Sequence, residues 1–257
     1  MSTTTISAIC PTYARPHLLR EAVESFRRQR FKGTAELIVY NNYPDQTIII
    51  DESDFPRGFS VKVINDQEPP DSLGECYNRA IAHAGGRYLC PWEDDDIYLP
   101  WRLADAVEAL ESNGAEYHKR PHAWFYNYGR IVGPVSNLFF CAGTWAAGLF
   151  RRVGGCRGDF AATDQALEAR LVGGTDDAIT EPRDLKKIFY IYRWAGVTAH
   201  LSGIKDGREG FEQTRAILRR GQPTGKVLIR PGWARDYVAM VENWISSHPG
   251  MGEEYDV

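Results

Sequence analysis

The chain has 257 residues, of which 43% are hydrophobic and 25% are charged, and its formal net charge is −4. This length and composition are those of a globular protein that can bury a sizeable core in one large α/β domain. The negative net charge argues against binding of nucleic acid over the whole surface.

The sequence also indicates where the protein works. No apolar run reaches the length of a membrane span, and the N-terminus lacks the pattern of a signal peptide. The five cysteines are an odd number without metal-ligand spacing, which is typical of a reducing compartment. We therefore expect a cytoplasmic protein without a transmembrane segment.

Predicted strands and helices alternate through the first half of the chain. The strands are predicted at residues 5–10, 36–40, 60–64 and 88–92. The helices are predicted at residues 16–26, 72–84 and 101–113. The helical segments carry apolar residues at helical spacing, whereas the strands are short apolar runs. This alternation predicts a mostly parallel central sheet with right-handed crossovers, flanked by helices.

The second half of the chain has a less regular pattern. Residues 123–128 and 135–141 are predicted as antiparallel strands joined through Gly129 and Gly133–Pro134. The remaining predictions are a strand at 188–194 and helices at 164–172, 211–220 and 234–247. These elements indicate a smaller antiparallel and helical C-terminal part, followed by a polar tail from His248 that is predicted to be disordered.

Four consecutive carboxylates, at residues 93–96, abruptly end the apolar run at 88–92. Adjacent anions repel one another, and placing them at a strand end costs stability unless a cation lies there. Ligands that offer only oxygen suit a hard divalent ion such as Mg²⁺ or Mn²⁺. The alternative is a solvated acidic turn, but the interruption of a buried strand favours a cation site.

Polar residues follow three of the predicted parallel strands. Pro11, Thr12 and Tyr13 come after the first strand, Asn41–Asn42 after the second, and the carboxylates after the fourth. In open α/β sheets, ligands bind beyond the carboxyl ends of the strands. We therefore expect these three segments to converge on one cleft.

Five motifs in this order resemble those of the family 2 glycosyltransferases, which have the GT-A fold. They are ICPTYARP at 9–16, ELIVYNN at 36–42, GECYNRAI at 74–81, GRYLCPWEDDD at 86–96 and FRRVGG at 150–155. The third is similar to the helix that carries the family's Asn-Arg element, and the fourth to the strand that leads into its DxD motif. Each motif is weak alone, but the order and spacing of all five are typical of the family.

The resemblance implies a metal-dependent glycosyltransferase that moves a sugar from a nucleoside diphosphate to a hydroxyl acceptor with inversion. It places a nucleotide-sugar-binding half at residues 1–114, an acceptor-side half at 115–203 and a helical extension at 204–257. A UDP-sugar is favoured as donor, and the acceptor stays open between a glycan, a lipid-linked sugar and a modified nucleic acid. The alternatives are a nucleotidyltransferase and a relative that binds a sugar nucleotide without turnover.

By this resemblance the metal, Mn²⁺ or Mg²⁺, is held by Glu93 and Asp95 as the two ends of the DxD motif, and Asp94 faces the ribose or sugar of the donor. Asp94 and Asp96 have the same spacing, so the choice between the two pairs stays open. Many enzymes with this fold bring a C-terminal histidine to the metal, and His200 takes that place here. A lone histidine is alternatively a hydrogen-bonded structural residue.

The same resemblance assigns the nucleoside to Pro11, Thr12, Tyr13, Asn41 and Asn42. The family commonly has Asp where this chain has Asn41, but the amide oxygen can still accept a hydrogen bond from uracil. Asn41–Asn42 are alternatively a turn-forming pair. Tyr13 either stacks on the base or covers the core.

Four further residues are assigned by the resemblance. Arg15 and Arg79 are candidates to contact the base or the diphosphate, and Asn78 belongs to the Asn-Arg element. Asp164 takes the place of the catalytic base of inverting enzymes, although Thr163 replaces its usual acidic neighbour. The alternative for Asp164 is an N-cap of the predicted helix.

Residues 205–235 contain eight basic and three acidic side chains in a chain that is negative overall. This basic segment predicts contact with an anionic acceptor, such as a phosphorylated lipid, a membrane surface or nucleic acid. The alternative is a solvated helical face.

Overall fold

The computed structural model describes residues 5–68, 70–136, 140–157, 163–180, 182–194 and 208–250. Its strands are β1 (Ile6–Thr12), β2 (Ala35–Asn41), β3 (Gln46–Ile50), β4 (Phe59–Asn65), β5 (Tyr88–Pro91), β6 (Ile97–Tyr98), β7 (Tyr117–Lys119), β8 (His122–Asn127), β9 (Arg130–Ser136), β10 (Gly143–Ala146), β11 (Ala178–Thr180), β12 (Tyr190–Trp194) and β13 (Gly225–Ile229). Its helices are α1 (Pro16–Arg27), α2 (Leu73–Ile81), α3 (Arg102–Asn113), α4 (Ala147–Arg152), α5 (Thr163–Gly173), α6 (Arg208–Leu218) and α7 (Tyr237–Ser247).

A seven-stranded sheet forms the centre of the fold, in the order β11-β7-β10-β5-β1-β2-β4. Strands β5, β1, β2 and β4 run parallel to one another, whereas β10 is antiparallel to both β5 and β7. The predicted α/β fold with a mostly parallel central sheet is therefore confirmed. Helices α1, α2 and α3 lie at the predicted places in the chain, although α2 ends earlier than predicted, at Ile81.

The central strands are buried on both faces. Every residue of β1 and of β5 is buried, which is the pattern of parallel strands covered by helices on both sides. One apolar cluster includes Leu19 and Phe26 of α1 and Leu103 of α3. A second includes Tyr77 of α2 and Leu167 of α5. The strand sequences are continuously apolar because both of their faces lie inside.

Two smaller sheets accompany the central one. The first has the order β6-β12-β8-β9, and its strand β6 directly follows the carboxylates at 93–96. The second is a parallel pair in which Gly225 of β13 lies opposite Gln46 of β3. Neither β3 nor β13 is among the strands predicted from the sequence. Each is a short strand, and the two segments that pair lie far apart in the sequence.

One predicted hairpin differs from the structure. Its second strand, predicted at 135–141, begins earlier, because β9 (Arg130–Ser136) follows β8 after only two residues. Residues 137–139 of the predicted strand lie outside the described residues, and 140–141 belong to a 3₁₀ helix. Tyr128 and Gly129 both have positive φ, 45° and 82°, and reverse the chain in a tight turn. Pro134 therefore lies inside β9 rather than in the turn, and it is tolerated there because β9 is the edge strand of its sheet.

The C-terminal part contains the predicted strand and helices as β12, α6 and α7. The pairing of β13 with β3 joins the predicted extension to the first half of the chain. The polar tail, predicted to be disordered, lies outside the described residues beyond Gly250. Within the ranges that are described, no helix is both long and apolar enough to cross a membrane.

A buried glutamine joins the end of α1 to the start of α3. The Gln29 amide nitrogen donates to the carbonyl oxygens of Ser25 and Leu99, each at 2.9 Å. Its amide oxygen accepts from the backbone N–H of Leu103 at 3.0 Å. Helix α3 has no side-chain cap at Trp101, so Gln29 satisfies one of the N–H groups that the start of a helix leaves open.

Replacing Gln29 with leucine removes these bonds while keeping a side chain of similar length. Buried polar groups left without partners cost about 1–3 kcal/mol, so we expect Gln29→Leu to lower the free energy of unfolding by about 2 kcal/mol. Urea denaturation with an unchanged m-value measures this loss. The control is Gln213→Leu at an exposed position of α6, with an expected change below about 0.5 kcal/mol. Equal stability of the two variants would contradict the capping role.

Candidate functional site

The segments that end β1, β2 and β5 lie side by side at the carboxyl edge of the central sheet. Pro11 and Thr12 are buried at the end of β1, where they lie opposite Tyr40 and Asn41 of β2. The Thr12 hydroxyl donates a 2.6 Å hydrogen bond to Asp94, which follows β5. The convergence predicted from the sequence is therefore confirmed by the strand register and by this direct contact.

Two of the four carboxylates at 93–96 face the interior. Asp94 is 0% exposed and lies against the end of β1, whereas Asp96 is 3% exposed and lies against β12. Asp96 accepts hydrogen bonds from the Tyr190 hydroxyl and, at 2.9 Å, from the backbone N–H of Arg193. The run is thus not a solvated acidic turn, because three of its four carboxylates, Asp94, Asp95 and Asp96, are buried.

The other two carboxylates, Glu93 and Asp95, are more accessible. Glu93 is partly exposed and accepts a hydrogen bond from the Tyr77 hydroxyl. Asp95 is 8% exposed, the highest value among the three aspartates of the run. Glu93, the only partly exposed carboxylate of the run, and Asp95, the most exposed of its aspartates, are therefore the two with some access from solvent.

The chain supplies a cation of its own to this run. The Arg15 guanidinium contacts both oxygens of Asp94, one of them at 3.2 Å, and donates to Asp95 at 2.8 Å. Ala14, just before it, has a φ of 54°, a left-handed conformation that is uncommon for a residue other than glycine. Arg15, predicted to contact the base or the diphosphate, is bound to the carboxylates in this structure.

Burial favours the protonated forms of these carboxyl groups over the ionised forms. Burial and, after it, the charge of Asp95 raise the pKa of Glu93 to about 7. Burial raises the pKa of Asp94 to about 6, although the Arg15 guanidinium acts to lower it. Burial also raises the pKa of Asp96 well above its usual value. A further cation beside these groups would favour their ionised forms, so that cation binding and proton release are linked.

Glu93 and Asp95 suit a hard divalent cation, because carboxylate oxygens are the ligands that Mg²⁺ and Mn²⁺ prefer. In the part of the chain that the structure describes, no three His, Cys, Asp or Glu side chains form a complete metal site. Magnesium sites commonly use one or two carboxylates and complete the coordination with water and substrate phosphates. The residues present therefore fit a cation that is shared with a diphosphate. The third predicted ligand, His200, lies outside the described residues.

Asn41, predicted to hold the nucleoside or to form a turn, makes the contacts of a turn. Its amide nitrogen donates to the Gln46 carbonyl at 2.8 Å and to the Asn65 side chain at 3.0 Å. Its amide oxygen accepts from the Tyr43 backbone N–H at 3.1 Å. These bonds fix the loop between β2 and β3, so the buried Asn41 shapes the edge of the cleft from within.

Arg215 of α6 reaches the residues predicted to hold the nucleoside. Its guanidinium lies 5.0 Å from the centre of the partly exposed Tyr13 ring and donates to the Pro70 carbonyl at 2.9 Å. In the orientation of the Asn42 side-chain amide that gives both its nitrogen and its oxygen a partner, the nitrogen donates to the Thr12 carbonyl at 2.6 Å. The oxygen then accepts from Arg215 at 3.3 Å. The sequence shows a basic segment at 205–235, but no spacing rule connects its helix α6 with Tyr13, so Arg215 is not predicted as a site residue.

Asn78 of α2 holds the glycine turn that precedes α5. Its amide nitrogen donates to the Cys156 carbonyl and its oxygen accepts from the Cys156 N–H, both at 2.9 Å. A Cβ on Gly155, whose φ is 66°, would lie 2.9 Å from the Asn78 oxygen, so glycine is required there. Its neighbour Arg79 donates to the Asp66 carboxylate at 2.8 Å. Both residues of the predicted donor-binding element thus make structural contacts here.

Asp164 lies in the first turn of α5, and its side chain is exposed. Helix α5 begins at Thr163, so Asp164 lies inside the helix and is not its N-cap residue. The helix is anchored to β7 by Glu168, which forms a buried ion pair with Lys119 and accepts from the Tyr117 hydroxyl. An accessible carboxylate on an anchored helix has the two properties that a general base needs, access to the proton and a fixed position.

Comparisons with known sequences agree with this fold and site. A family model described as Glycosyl transferase family 2 matches residues 7–127. Two relatives from Mycobacterium tuberculosis, one from strain CDC 1551 / Oshkosh and one from strain ATCC 25618 / H37Rv, are described as uncharacterized glycosyltransferases. Each is 27% identical to this chain over 218 residues, which cover 77% of this chain and 79% of the relative.

Solved structures share the fold. S. aureus TarS in complex with UDP-GlcNAc superposes with a TM-score of 0.61 at 15% identity, over 84% of this chain and 65% of that chain. The mannosyltransferase PcManGT from Pyrobaculum calidifontis in complex with GDP-Man and Mn2+ gives a TM-score of 0.54 at 18% identity, over 84% and 62%. This chain therefore spans less than two thirds of the length of these solved chains.

Residues 7–127 of this chain are thus similar to the family 2 glycosyltransferases, and the chain has the GT-A fold of the solved glycosyltransferases. The resemblance drawn from the five motifs is thereby confirmed. The matched segment begins in β1 and ends in β8, so it contains Arg15, the carboxylates at 93–96 and the whole of α2.

The contacts of Arg15 predict strong energetic coupling to Asp94. Removing one partner of a buried ion pair costs about 3–5 kcal/mol, so we expect Arg15→Met to lower the free energy of unfolding by about that amount. Adding Asp94→Asn should recover part of the loss, because the uncompensated buried charge disappears. Urea unfolding of the two single variants and the double variant measures the coupling. Arg151→Met, at an exposed position, is the control, and strictly additive losses would contradict the pairing.

Proposed function

We propose that this protein is a metal-dependent, inverting glycosyltransferase that moves a sugar from a nucleoside diphosphate, with UDP favoured, to a hydroxyl acceptor. The observation that carries the proposal is the division of the carboxylate run. Asp94 and Asp96 are buried among donors, while Glu93 and Asp95 stay more accessible at the carboxyl edge of the sheet. Two solved proteins of the same fold support the donor class, since one was solved with UDP-GlcNAc and the other with GDP-Man and Mn2+.

In the proposed reaction, a bond forms between the acceptor oxygen and the anomeric carbon while the bond from that carbon to the diphosphate breaks. Negative charge then grows on the diphosphate. A divalent cation, when held by Glu93 and Asp95, supplies Lewis-acid stabilisation of this charge. Arg15, fixed on Asp94 and Asp95, adds positive charge at the same edge without having to reorganise.

Asp164 accepts the proton of the acceptor hydroxyl in this proposal. Its exposed carboxylate at the start of α5 is open to an acceptor, and the ion pair of Glu168 with Lys119 holds the helix in place. A single displacement of this kind leaves no covalent sugar intermediate, so the product has inverted anomeric configuration.

The base of the donor is assigned to the group around Tyr13. The Tyr13 ring offers a stacking surface, and Asn42 and Arg215 lie beside it. Because the Asn41 amide is engaged in the loop between β2 and β3, we assign the base contact to this group rather than to Asn41. Uridine is favoured because TarS, which has the higher TM-score of the two solved neighbours, was solved with a uridine nucleotide.

The metal assignment predicts that Mn²⁺ strengthens the binding of UDP through Asp95. Isothermal titration with UDP, GDP and dTDP, with and without Mn²⁺, should give the tightest binding for UDP with the metal. Asp95→Asn should abolish the contribution of Mn²⁺, because a neutral amide is a poor ligand for a hard cation. The control is Asp176→Asn, at an exposed position. An unchanged effect of Mn²⁺ in Asp95→Asn would remove Asp95 from the metal site, and tighter binding of GDP or dTDP would overturn the choice of uridine.

The base assignment predicts that Asp164→Asn lowers kcat by about 10²- to 10⁴-fold with little change in donor affinity. The amide keeps the size of the side chain but cannot take the acceptor proton. Steady-state kinetics with a hydroxyl acceptor and titration with UDP measure the two effects, again beside Asp176→Asn. Activity within a few-fold of the unmodified protein would show that another residue is the base. Retained anomeric configuration in the first product, read by NMR, would contradict the single displacement.

A further inference from the structure

Arg193 is a buried residue of β12 that the proposed mechanism does not use. Its backbone N–H donates to the Asp96 carboxylate at 2.9 Å, and its guanidinium donates through Nε to the backbone carbonyl of Asp95. Both contacts fall on the turn that carries the proposed metal ligands. The position of Arg193 therefore determines where the peptide of Asp95 lies.

The Arg193 guanidinium is in turn held by Glu21 of α1. The Nη1 atom of Arg193 lies 3.1 Å from Oε1 of Glu21, and the two side chains are 8% and 11% exposed. The other carboxylate oxygen of Glu21 accepts from the Tyr237 hydroxyl at 2.7 Å and from the Ala234 N–H at 3.3 Å. One carboxylate oxygen of Glu21 thus binds Arg193, which contacts the carboxylate turn. The other oxygen binds the C-terminal segment.

A second residue of α1 repeats this arrangement one turn further on. The Ser25 hydroxyl oxygen accepts from the Trp233 indole N–H at 3.0 Å and from the backbone N–H of Tyr98 at 3.4 Å. Tyr98 belongs to β6, the strand that follows the carboxylates. One face of α1 therefore connects the C-terminal segment 233–237 with both strands that flank the carboxylate turn, β6 and β12.

The charge of Glu21 is what keeps Arg193 in this place. A buried guanidinium without its counter-ion is strongly destabilised and moves toward other acceptors or water. Such a movement would shift the Asp95 peptide, and displacements of about 1 Å at a reacting centre can cost about 10²-fold in rate. Among the hydrogen bonds of the described residues, Glu21 bonds to Arg193, Ala234 and Tyr237 and makes none to the carboxylates at 93–96.

We propose that Glu21 is a positioning residue, which sets the geometry of the carboxylate turn through Arg193 and makes that geometry depend on the C-terminal segment 233–237. The expected effect on turnover rests on the proposed function. The expected effect on the order of the carboxylate turn does not. The C-terminal segment lies outside the matched residues 7–127, so a part of the chain beyond the family match takes part in setting up the donor site.

The test compares two buried ion pairs of similar exposure. Glu21→Gln keeps the shape of the side chain and an acceptor oxygen but removes the charge that holds Arg193. Asp105→Asn is the matched control, because Asp105 pairs with Arg120 at side-chain exposures of 11% and 5% and, among the hydrogen bonds of the described residues, makes none to the carboxylate turn. Thermal unfolding shows how far each variant is destabilised. Hydrogen–deuterium exchange of peptides that cover residues 92–98 then reports the order of the turn without any ligand.

We expect Glu21→Gln to exchange faster across 92–98 and to lose at least about 10-fold in kcat and in the Mn²⁺-dependent affinity for UDP. Asp105→Asn, at a similar loss of melting temperature, should keep the exchange rate of this segment and the kinetic constants. Tyr237→Phe removes one bond of the C-terminal segment to Glu21 and should give a smaller change in the same direction. If Glu21→Gln fails to fold, Tyr237→Phe decides the comparison.

The inference is overturned if Glu21→Gln or, in its place, Tyr237→Phe matches Asp105→Asn in exchange across 92–98 and in kinetics. Glu21 would then only stabilise the fold. This outcome is distinct from a failure of the proposed function, which the unmodified protein reveals by showing no Mn²⁺-dependent binding of UDP and no transfer. In that case the exchange comparison still decides whether Glu21 orders the carboxylate turn.

Discussion

The burial of carboxylates at the end of β5 is the constraint on which the rest of this structure depends. A carboxylate inside a protein is tolerated only where donors or a cation face it. The segment after β1 does this for Asp94 through Thr12 and Arg15, and β12 does it for Asp96. The turn between β5 and β6 is therefore held from two sides, by strands that come from opposite ends of the chain.

This packing divides the carboxylate run into two parts with different tasks. Asp94 and Asp96 fix the turn, and Glu93 and Asp95 are the pair that we propose for a cation. Burial raises the pKa values of Glu93 and Asp94, although the Arg15 guanidinium acts to lower both. Further positive charge beside these groups would favour their ionised forms.

The chain beyond the matched segment completes this arrangement. Strand β12 closes over the carboxylate turn, α6 brings Arg215 to the Tyr13 ring, and β13 pairs with β3. The C-terminal residues are thus packed around the half that contains the proposed donor site, and the ion pair of Glu21 with Arg193 links the two. Helix α6 and strand β13 of the predicted extension therefore pack against the predicted nucleotide-binding half.

The sequence by itself determined the α/β fold, the strand ends that converge and the carboxylate run as a candidate cation site, because apolar periodicity and strand order are properties of local sequence. It could not determine which carboxylates face inside, since the chain turns through 93–96 and the buried side chains bond to partners on different strands. It also left Asn41 open between a turn and a donor contact, and it assigned Asn78 to the donor. Only the tertiary structure decided which contacts these side chains make, because a buried polar group bonds to whichever donor or acceptor the packing brings to it, and those partners come from distant parts of the chain.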